Sequence, residues 1–412
     1  MTAVEWTGAV GNYRPASGFD ADLILKTVSE IQLKVPGTLL DDPDTLDFLL
    51  YVAAEWKDSH VAERLKIELS NIADRISKEG VVSPFLNFSG HSFEIQARLI
   101  RIFCDAAVFF KCVEWDSAVQ KLVQFLESFY DLGRGVFGDQ DASGPAMASQ
   151  NALAAWAFLA AWPRFQNNEL QSKAESALRF IQKKLYDPLL GLIHQLPSKE
   201  SALEYGYLGD CAWAALAMSE AYLQNWDKSH RDFADALAKY MFQELWDREK
   251  GGFLAQLGTE EISIPVSQKN ISENAVAFEA LWRLRYLKGN NSYSKWIDLG
   301  LHRFLDGTSA QIQRSSLLKI QDMSSRGRIE LEIVGRPQEE IAQKMLKALA
   351  FFYAPRKIIS FIDPDDQDYI LAHGLEAESY PRLFGCVDLK KRAETADPAM
   401  AGSVLNAAWY CN

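Results

Sequence analysis

Tyr130-Asp131-Leu132-Gly133-Arg134-Gly135-Val136-Phe137 has two further copies in this chain, Tyr186-Asp187-Pro188-Leu189-Leu190-Gly191-Leu192-Ile193 and Trp246-Asp247-Arg248-Glu249-Lys250-Gly251-Gly252-Phe253. All three fit aromatic-Asp-x-x-x-Gly-x-apolar, and their aspartates fall 56 and 60 residues apart. Lys78-Glu79-Gly80-Val81 is a fainter copy about one period earlier. The pattern reads as a corner: a helix ends, Asp opens a turn, Gly takes a positive φ, and an apolar residue anchors the returning chain. A period of roughly 60 suits two helices and their loops.

A second mark falls between the corners. Trp56-Lys57-Asp58-Ser59, Trp115-Asp116-Ser117 and Trp226-Asp227-Lys228-Ser229 precede amphipathic runs, and Asn290-Asn291-Ser292 takes the same place. Their Ser, Asp and Asn are predicted helix N-caps. Met147–Trp162 is apolar almost all round, as a helix buried on both sides should be, whereas Glu169–Leu185 keeps one apolar stripe. The alternation repeats in Leu203–Gln224 with His230–Leu245 and in Ser272–Leu287 with Tyr293–Leu305. Asp44–Trp56 with His60–Ser77 and Ser92–Lys111 with Ala118–Phe129 come earlier. Five inner–outer pairs are thus predicted, and Phe19–Leu33 with Ser309–Asp322 supply a sixth by joining the ends. The expected fold class is all-α, an (α/α)6 toroid of helical hairpins over residues 19–326.

After residue 327 the period changes. Arg328–Val334 alternates as a strand, Gly335 ends it, Pro337–Phe352 reads as a helix, and Lys357–Ile362 as a second strand. A small βαβ unit with a C-terminal segment, 327–412, is expected to pack on the toroid. Neither G-x-G-x-x-G nor a P-loop occurs, so the unit reads as structural.

Composition narrows the function. The 412 residues are 48% hydrophobic, with 11 Trp, 14 Tyr and 23 Phe, which suits a packed interior or a lined cavity. A net charge of -12 argues against a nucleic-acid partner, and Lys390-Lys391-Arg392, followed by Glu394, reads as a solvated turn. The five cysteines include no C-x-x-C pair, which suits reduced thiols in a cytoplasmic protein. No apolar run is long enough to span a membrane and no signal-peptide core is present. No metal-ligand spacing and no cofactor motif is found.

Five colinear segments carry a resemblance to a family: Gly135–Ala142, Glu204–Asp210, Glu273–Ala277, Glu332–Gly335 and Ala408–Cys411. Together they resemble the helical part of the YyaL / spermatogenesis-associated, thioredoxin-domain-containing family, from about Phe19 to Cys411. The resemblance implies a six-hairpin, glycosidase-like toroid similar to N-acylglucosamine 2-epimerases and related sugar enzymes. The thioredoxin-like domain has no counterpart in these residues. The family's His-Phe-Glu-Lys segment stands here as Ser92-Phe93-Glu94-Ile95, and its Asp-Trp-Asn as Ser149-Gln150-Asn151.

In such a toroid the loops after each glycine corner open on one mouth. They would gather Asp139, Gln140, Asp141, His194, Gln195 and Gln256, and the starts of the next inner helices would add Glu94, Glu204, Asp210, Glu273 and Asn274. Asp210 lies between Leu208 and Ala212, where a carboxylate is costly unless paired. Asp210 with Glu204 is therefore the expected catalytic pair. Glu94, Asp139, Asp141, Asn151, His194, Glu273 and Asn274 are the expected substrate-binding residues. Each has a plainer reading: Asp139 and Asp141 as turn residues, Glu204 and Glu273 as helix-start acids, His194 as a loop residue. Two functions follow. One is a carbohydrate-active hydrolase or isomerase with a sugar-like ligand in a carboxylate-lined funnel. The other is a non-catalytic binding or scaffold protein with a protein partner, its ancestral site decayed.

Overall fold

The computed structural model describes residues 21–32, 42–79, 91–139, 141–196, 204–257, 269–288, 292–307, 314–387 and 390–409. Five helical hairpins run α2 (Pro43–Glu55) to α3 (Ser59–Glu79), α4 (His91–Phe110) to α5 (Asp116–Glu127), α6 (Ala148–Phe165) to α7 (Asn168–Phe180), α8 (Leu208–Asn225) to α9 (Lys228–Tyr240), and α10 (Ile271–Leu287) to α11 (Ser292–Gly307). Each inner helix packs on the next, and α12 (Ser315–Arg326) lies between α10 and α2, closing the ring of six. The helix α1 (Ala21–Gln32) packs on α3 in the outer layer. The segments 19–20, 33 and 309–313 of the expected sixth pair lie outside the described residues, as do the Lys78–Val81 corner beyond Glu79 and Asn290-Asn291.

Burial follows the layers. Every α8 residue from Leu208 to Ser219 is buried, whereas α7 buries one stripe, Leu170, Ala174, Ala177 and Leu178. Asp42, Asn167, Asp227 and Asn270 cap α2, α7, α9 and α10 through their side chains, and Asp58 Oδ1 accepts from His60 and Val61 at the start of α3. The expected cap at 115–117 differs. Asp116 is already inside α5, where it pairs with Arg164. At their far ends α2, α4, α6 and α8 stop at Lys57, Lys111, Gln166 and Trp226, all non-glycine residues at φ 50–59°.

The three corners share one conformation. Oδ1 of Asp131, Asp187 and Asp247 each accepts from the backbone N–H groups two and three residues on. Gly135, Gly191 and Gly251 have φ of 69°, 78° and 70°. The corners form short ladders, β1 (Tyr130–Asp131) with β2 (Val136–Phe137), β3 (Tyr186–Asp187) with β4 (Gly191–Leu192), and a bridge from Trp246 to Phe253. The middle corner is one residue shorter after its glycine. Tyr186 faces Leu192, so Leu192, not Ile193, takes the place of Phe137 and Phe253.

The C-terminal part contains more than the expected strand-helix-strand. β5 (Ile329–Val334), α13 (Glu340–Ala350) and β6 (Lys357–Ile362) form the parallel βαβ unit, joined by α14 (Gln367–His373). β7 (Arg382–Val387) adds antiparallel to β5, and β8 (Lys390–Thr395) adds to β7, giving the order β6-β5-β7-β8. The Lys390-Lys391-Arg392 run is therefore part of an edge strand, where repeated Lys discourages pairing with another chain. α15 (Ala401–Trp409) packs on this sheet. Arg356, just before β6, forms a buried ion pair with Glu55 of α2 at 3.0 Å, and Trp409 Nε1 donates to the same carboxylate at 3.2 Å. No helix among the described residues is long and apolar enough to cross a membrane.

Candidate functional site

Corner loops and inner-helix starts converge at one mouth of the barrel. Asp210, in the first turn of α8, is buried at 1% exposure. Its Oδ1 accepts from the Ser149 backbone N–H at 3.0 Å, and its Oδ2 lies 2.8 Å from His194 Nδ1. His194 stands two residues past Leu192, the anchor of the middle corner. Its backbone carbonyl accepts from Ala148 at the start of α6, and its N–H donates to Glu204 O. The imidazole lies against Tyr207, ring centroids 4.6 Å apart. Burial would lower the His194 pKa, but the hydrogen bond and charge of Asp210, aided by Glu204 and Asp139, raise it above the usual histidine value.

Glu273 sits in the first turn of α10, directly over Gly209. A Cβ at Gly209 would meet Glu273 Oε1 at 2.9 Å, so the missing side chain lets this carboxyl approach the start of α8. Burial, reinforced by the negative charges of Glu94 and Asp210, pushes Glu273 up to about 7. Glu94, more open, is 3.6 Å from Arg98. Asp139 accepts from Gln150 Nε2 at 3.0 Å. The mouth thus joins a buried aspartate, a histidine oriented by it, and a carboxyl that holds its proton near neutrality.

The expected residues separate into two groups. Asp210, His194, Glu273, Glu94 and Asp139 share this electrostatic cluster. Glu204 acts on His194, but it lies exposed and extended ahead of α8, which starts at Leu208; the helical spacing expected between it and Asp210 does not exist. Asp141 turns its Oδ1 back on Ser143 and Gly144 in an Asx turn. Asn151 and Asn274 are buried pins. Each Oδ1 accepts from the corner's Phe N–H (Phe137, Phe253), and each Nδ2 donates to that Phe carbonyl and to the carbonyl four residues back. Both amides are thereby committed to backbone. Cys211 occupies the matching place in α8, beside the Leu192 N–H. Gln140 lies outside the described residues.

Sequence reading missed the pairing of His194 with Asp210. The signal was present as a histidine just past one corner and an acid in the apolar start of the next inner helix. It also missed the barrel's axis. Arg98 pairs with Asp44, Arg101 with Asp105 and Glu220, Arg283 with Glu279 and Glu220, and Lys319 with Asp47 and Glu279. The i,i+4 spacings of Arg101 with Asp105 and of Glu279 with Arg283 were the legible trace. These ions, with Trp156 and Trp213, line a cavity of about 540 Å³. Asp210, His194 and Glu273 are not in its wall. Trp213 and Val276, three residues further along α8 and α10, are, so the acid–histidine cluster sits about one helical turn above the void. Among the described residues no three His, Cys, Asp or Glu side chains group as metal ligands.

No family model matches the chain, and no curated protein matches it. Solved structures do. An inactive variant of the alpha-1,6-mannanase of Salegentibacter sp. HEL1_6, in complex with alpha-1,6-mannotetrose, superposes with a TM-score of 0.58 at 11% identity, covering 74% of this chain and 97% of that one. The unsaturated glucuronyl hydrolase of Bacillus sp. GL1 gives 0.55 at 12% identity, with 74% and 94% covered. A D-mannose isomerase gives 0.54 at 12% identity, with 70% and 86% covered. The chain therefore has the six-hairpin, glycosidase-like toroid fold; at these identities the likeness is one of fold.

Proposed function

We propose that the mouth is an acid–base site for a sugar, of the isomerase type, with His194 and Glu273 as the proton carriers. The observation that carries this reading is the convergence of the Asp210–His194 pair and the Glu273 carboxyl at the starts of α8 and α10. Asp210 has one oxygen on the Ser149 N–H and the other on the imidazole. It is placed to orient His194, not to attack an anomeric carbon. That favours proton transfer next to an open-chain carbonyl over a hydrolysis with Asp210 as nucleophile. With Nδ1 held by Asp210, Nε2 is the ring nitrogen that exchanges the proton. Glu273, half-protonated near neutral pH, supplies or receives the second one. Kinship with the YyaL-like family and carbohydrate binding are part of the same proposal, supported by the colinear segments and by a fold shared with proteins named for sugar substrates.

The test is deuterium exchange. An aldose and ketose panel incubated in D2O should gain deuterium at the carbon next to the carbonyl, followed by proton NMR. The His194→Gln and Glu273→Gln variants should lose at least about 100-fold in rate. Binding without exchange in the wild type would remove the catalytic half of the reading. Neither binding nor exchange would leave the scaffold reading, in which the site has decayed.

A further inference from the structure

Behind the mouth, the cavity on the barrel axis is floored by the C-terminal unit. Tyr353, in the connection from α13 to β6, and Lys357, the first residue of β6, complete its wall. The toroid's ion pairs line much of the rest, and they turn mainly their carboxylates to the void. Asp44, Asp47 and Asp105 stand on inner helices, yet their side chains keep 28%, 30% and 28% exposure, whereas their partners Arg98, Lys319 and Arg101 keep 8%, 8% and 16%. Asp47 and Asp105 each give Oδ2 to the cation, and neither Oδ1 accepts a hydrogen bond among the described residues. The Tyr353 hydroxyl has no partner among them either. Trp156 and Trp213, ring centroids 5.4 Å apart, add an aromatic wall. The void reaches the surface beside α13, away from the mouth, where Gln166, Asn168, Lys347 and Phe351 line it and are exposed.

Charge decides what fits. The wall holds five carboxylates, Asp44, Asp47, Asp105, Glu220 and Glu279. Arg98, Arg101, Arg283 and Lys319 balance four of them, and the fifth is matched by the Lys357 ammonium, which caps α13 through the Leu349 and Phe352 carbonyls. At the portal Arg164 pairs with Asp116, and Lys347 stands in solvent. An ionic ligand would bring an uncompensated charge into this balanced interior. An apolar one would strip water from Asp47 and Asp105 and replace none of its hydrogen bonds. A neutral ligand rich in hydroxyls donates to both open carboxylate oxygens, meets the Tyr353 hydroxyl, and lays its C–H faces on the indoles. We infer that the axial cavity is a second ligand site, built jointly by the toroid and the C-terminal unit, which takes an uncharged polyol through the portal beside α13. Its volume of about 540 Å³ falls within the range of small-ligand pockets, about 300–1,000 Å³. The site goes beyond the mouth reading, since Asp210, His194 and Glu273 are not in this wall.

The experiment uses the full chain labelled with 5-fluorotryptophan and followed by fluorine NMR, with Trp156→Phe and Trp213→Phe to assign the two wall resonances. The probes are sorbitol and maltitol, which have no carbonyl for the mouth to act on, beside putrescine as a cation and glucose 6-phosphate as an anion. Both alditols should move the Trp156 and Trp213 resonances saturably, with a dissociation constant of about 1 mM or tighter. Tyr353→Phe should weaken that binding about fivefold by removing one hydrogen-bond partner, and His194→Gln should leave it unchanged. No saturable movement with either alditol overturns the assignment. So does a response to putrescine or glucose 6-phosphate without one to the alditols, because the balanced wall would then not select for neutrality. An alditol response that disappears in His194→Gln places the binding at the mouth and overturns it as well. The comparison of the four probes on the wild-type protein stands even where a variant does not fold. The mouth reading is tested by deuterium exchange, so either can fail alone.

Discussion

Glu273→Gln is expected to make the protein more stable above neutral pH. Glu273 is raised in the fold from an ordinary 4.5 to about 7 by burial, by Glu94 and by Asp210. A raised carboxyl pKa means that the folded state holds its proton more tightly than the unfolded chain. Its contribution is fully present below pH 4.5 and is lost as pH rises through about 7. The shift of about 2.5 units corresponds to a ceiling of ~3.4 kcal/mol, and solvent reaching the partly open carboxyl brings the expected value to ~2–3 kcal/mol. The amide keeps the shape and cannot ionise. Glu273→Gln should therefore lie within ~1 kcal/mol of the wild type at pH 5 and exceed it by ~2–3 kcal/mol at pH 8. For 412 residues that is ~3 °C in melting temperature. Urea unfolding of both proteins at half-unit steps from pH 5 to 8 reads the difference, in which His194 and other titrating groups largely cancel. A difference that stays flat across the window would refute the reasoning, since no conserved-shape substitution can hide a proton that is not there. Adding Asp210→Asn to the variant tests the source of the shift, because one of the two named charges is then gone.

Four further outcomes follow from the same geometry. Asp210→Ala should cost ~3 kcal/mol by leaving the Ser149 N–H and the imidazole unpaired, and should drop the His194 titration midpoint seen by NMR. Asn274→Ala should cost ~2–3 kcal/mol in urea unfolding, because the Phe253 N–H and carbonyl lose their partner in the interior. Gly191→Ala should be far worse than Gly374→Ala: a Cβ at Gly191 would lie 2.4 Å from the Tyr240 ring, whereas Gly374 has nothing within 4 Å and pays only its left-handed conformation, ~1 kcal/mol. Glu55→Gln and Arg356→Met should each cost ~3–5 kcal/mol, and the double variant much less than their sum, since each alone strands a buried charge.

Periodicity was legible in the linear chain because it is a local property. An Asx turn needs only an aspartate and the next three residues, and a corner glycine needs only its own φ, so Asp131, Asp187 and Asp247 announced the repeat unaided. The contrast between the all-round burial of α8 and the single stripe of α7 assigned inner and outer layers for the same reason. What failed was whatever depends on a partner far along the chain. β7 and β8 are not legible because Arg382–Val387 is interrupted by Gly385 and Lys390–Thr395 is charged; β7 becomes a strand by pairing with β5, some 50 residues earlier, and β8 by pairing with β7. Glu204 was paired with Asp210 on helical spacing that the bridge from Tyr205 to Ile193 replaces.

The candidate site divides along the same line. The apolar setting of Asp210 already implied a paired carboxylate, since an isolated charge cannot be buried cheaply. Its identity as the holder of His194, the seat of Glu273 over Gly209, and the conversion of Asn151 and Asn274 from candidate ligand contacts into backbone pins exist only when corner and helix start meet in space. The chain by itself determined the ring, because corners and stripes are written in short-range chemistry. Closure of the ring alone decided which side chains share a proton, because charge interaction depends on separation through space and not on separation along the sequence.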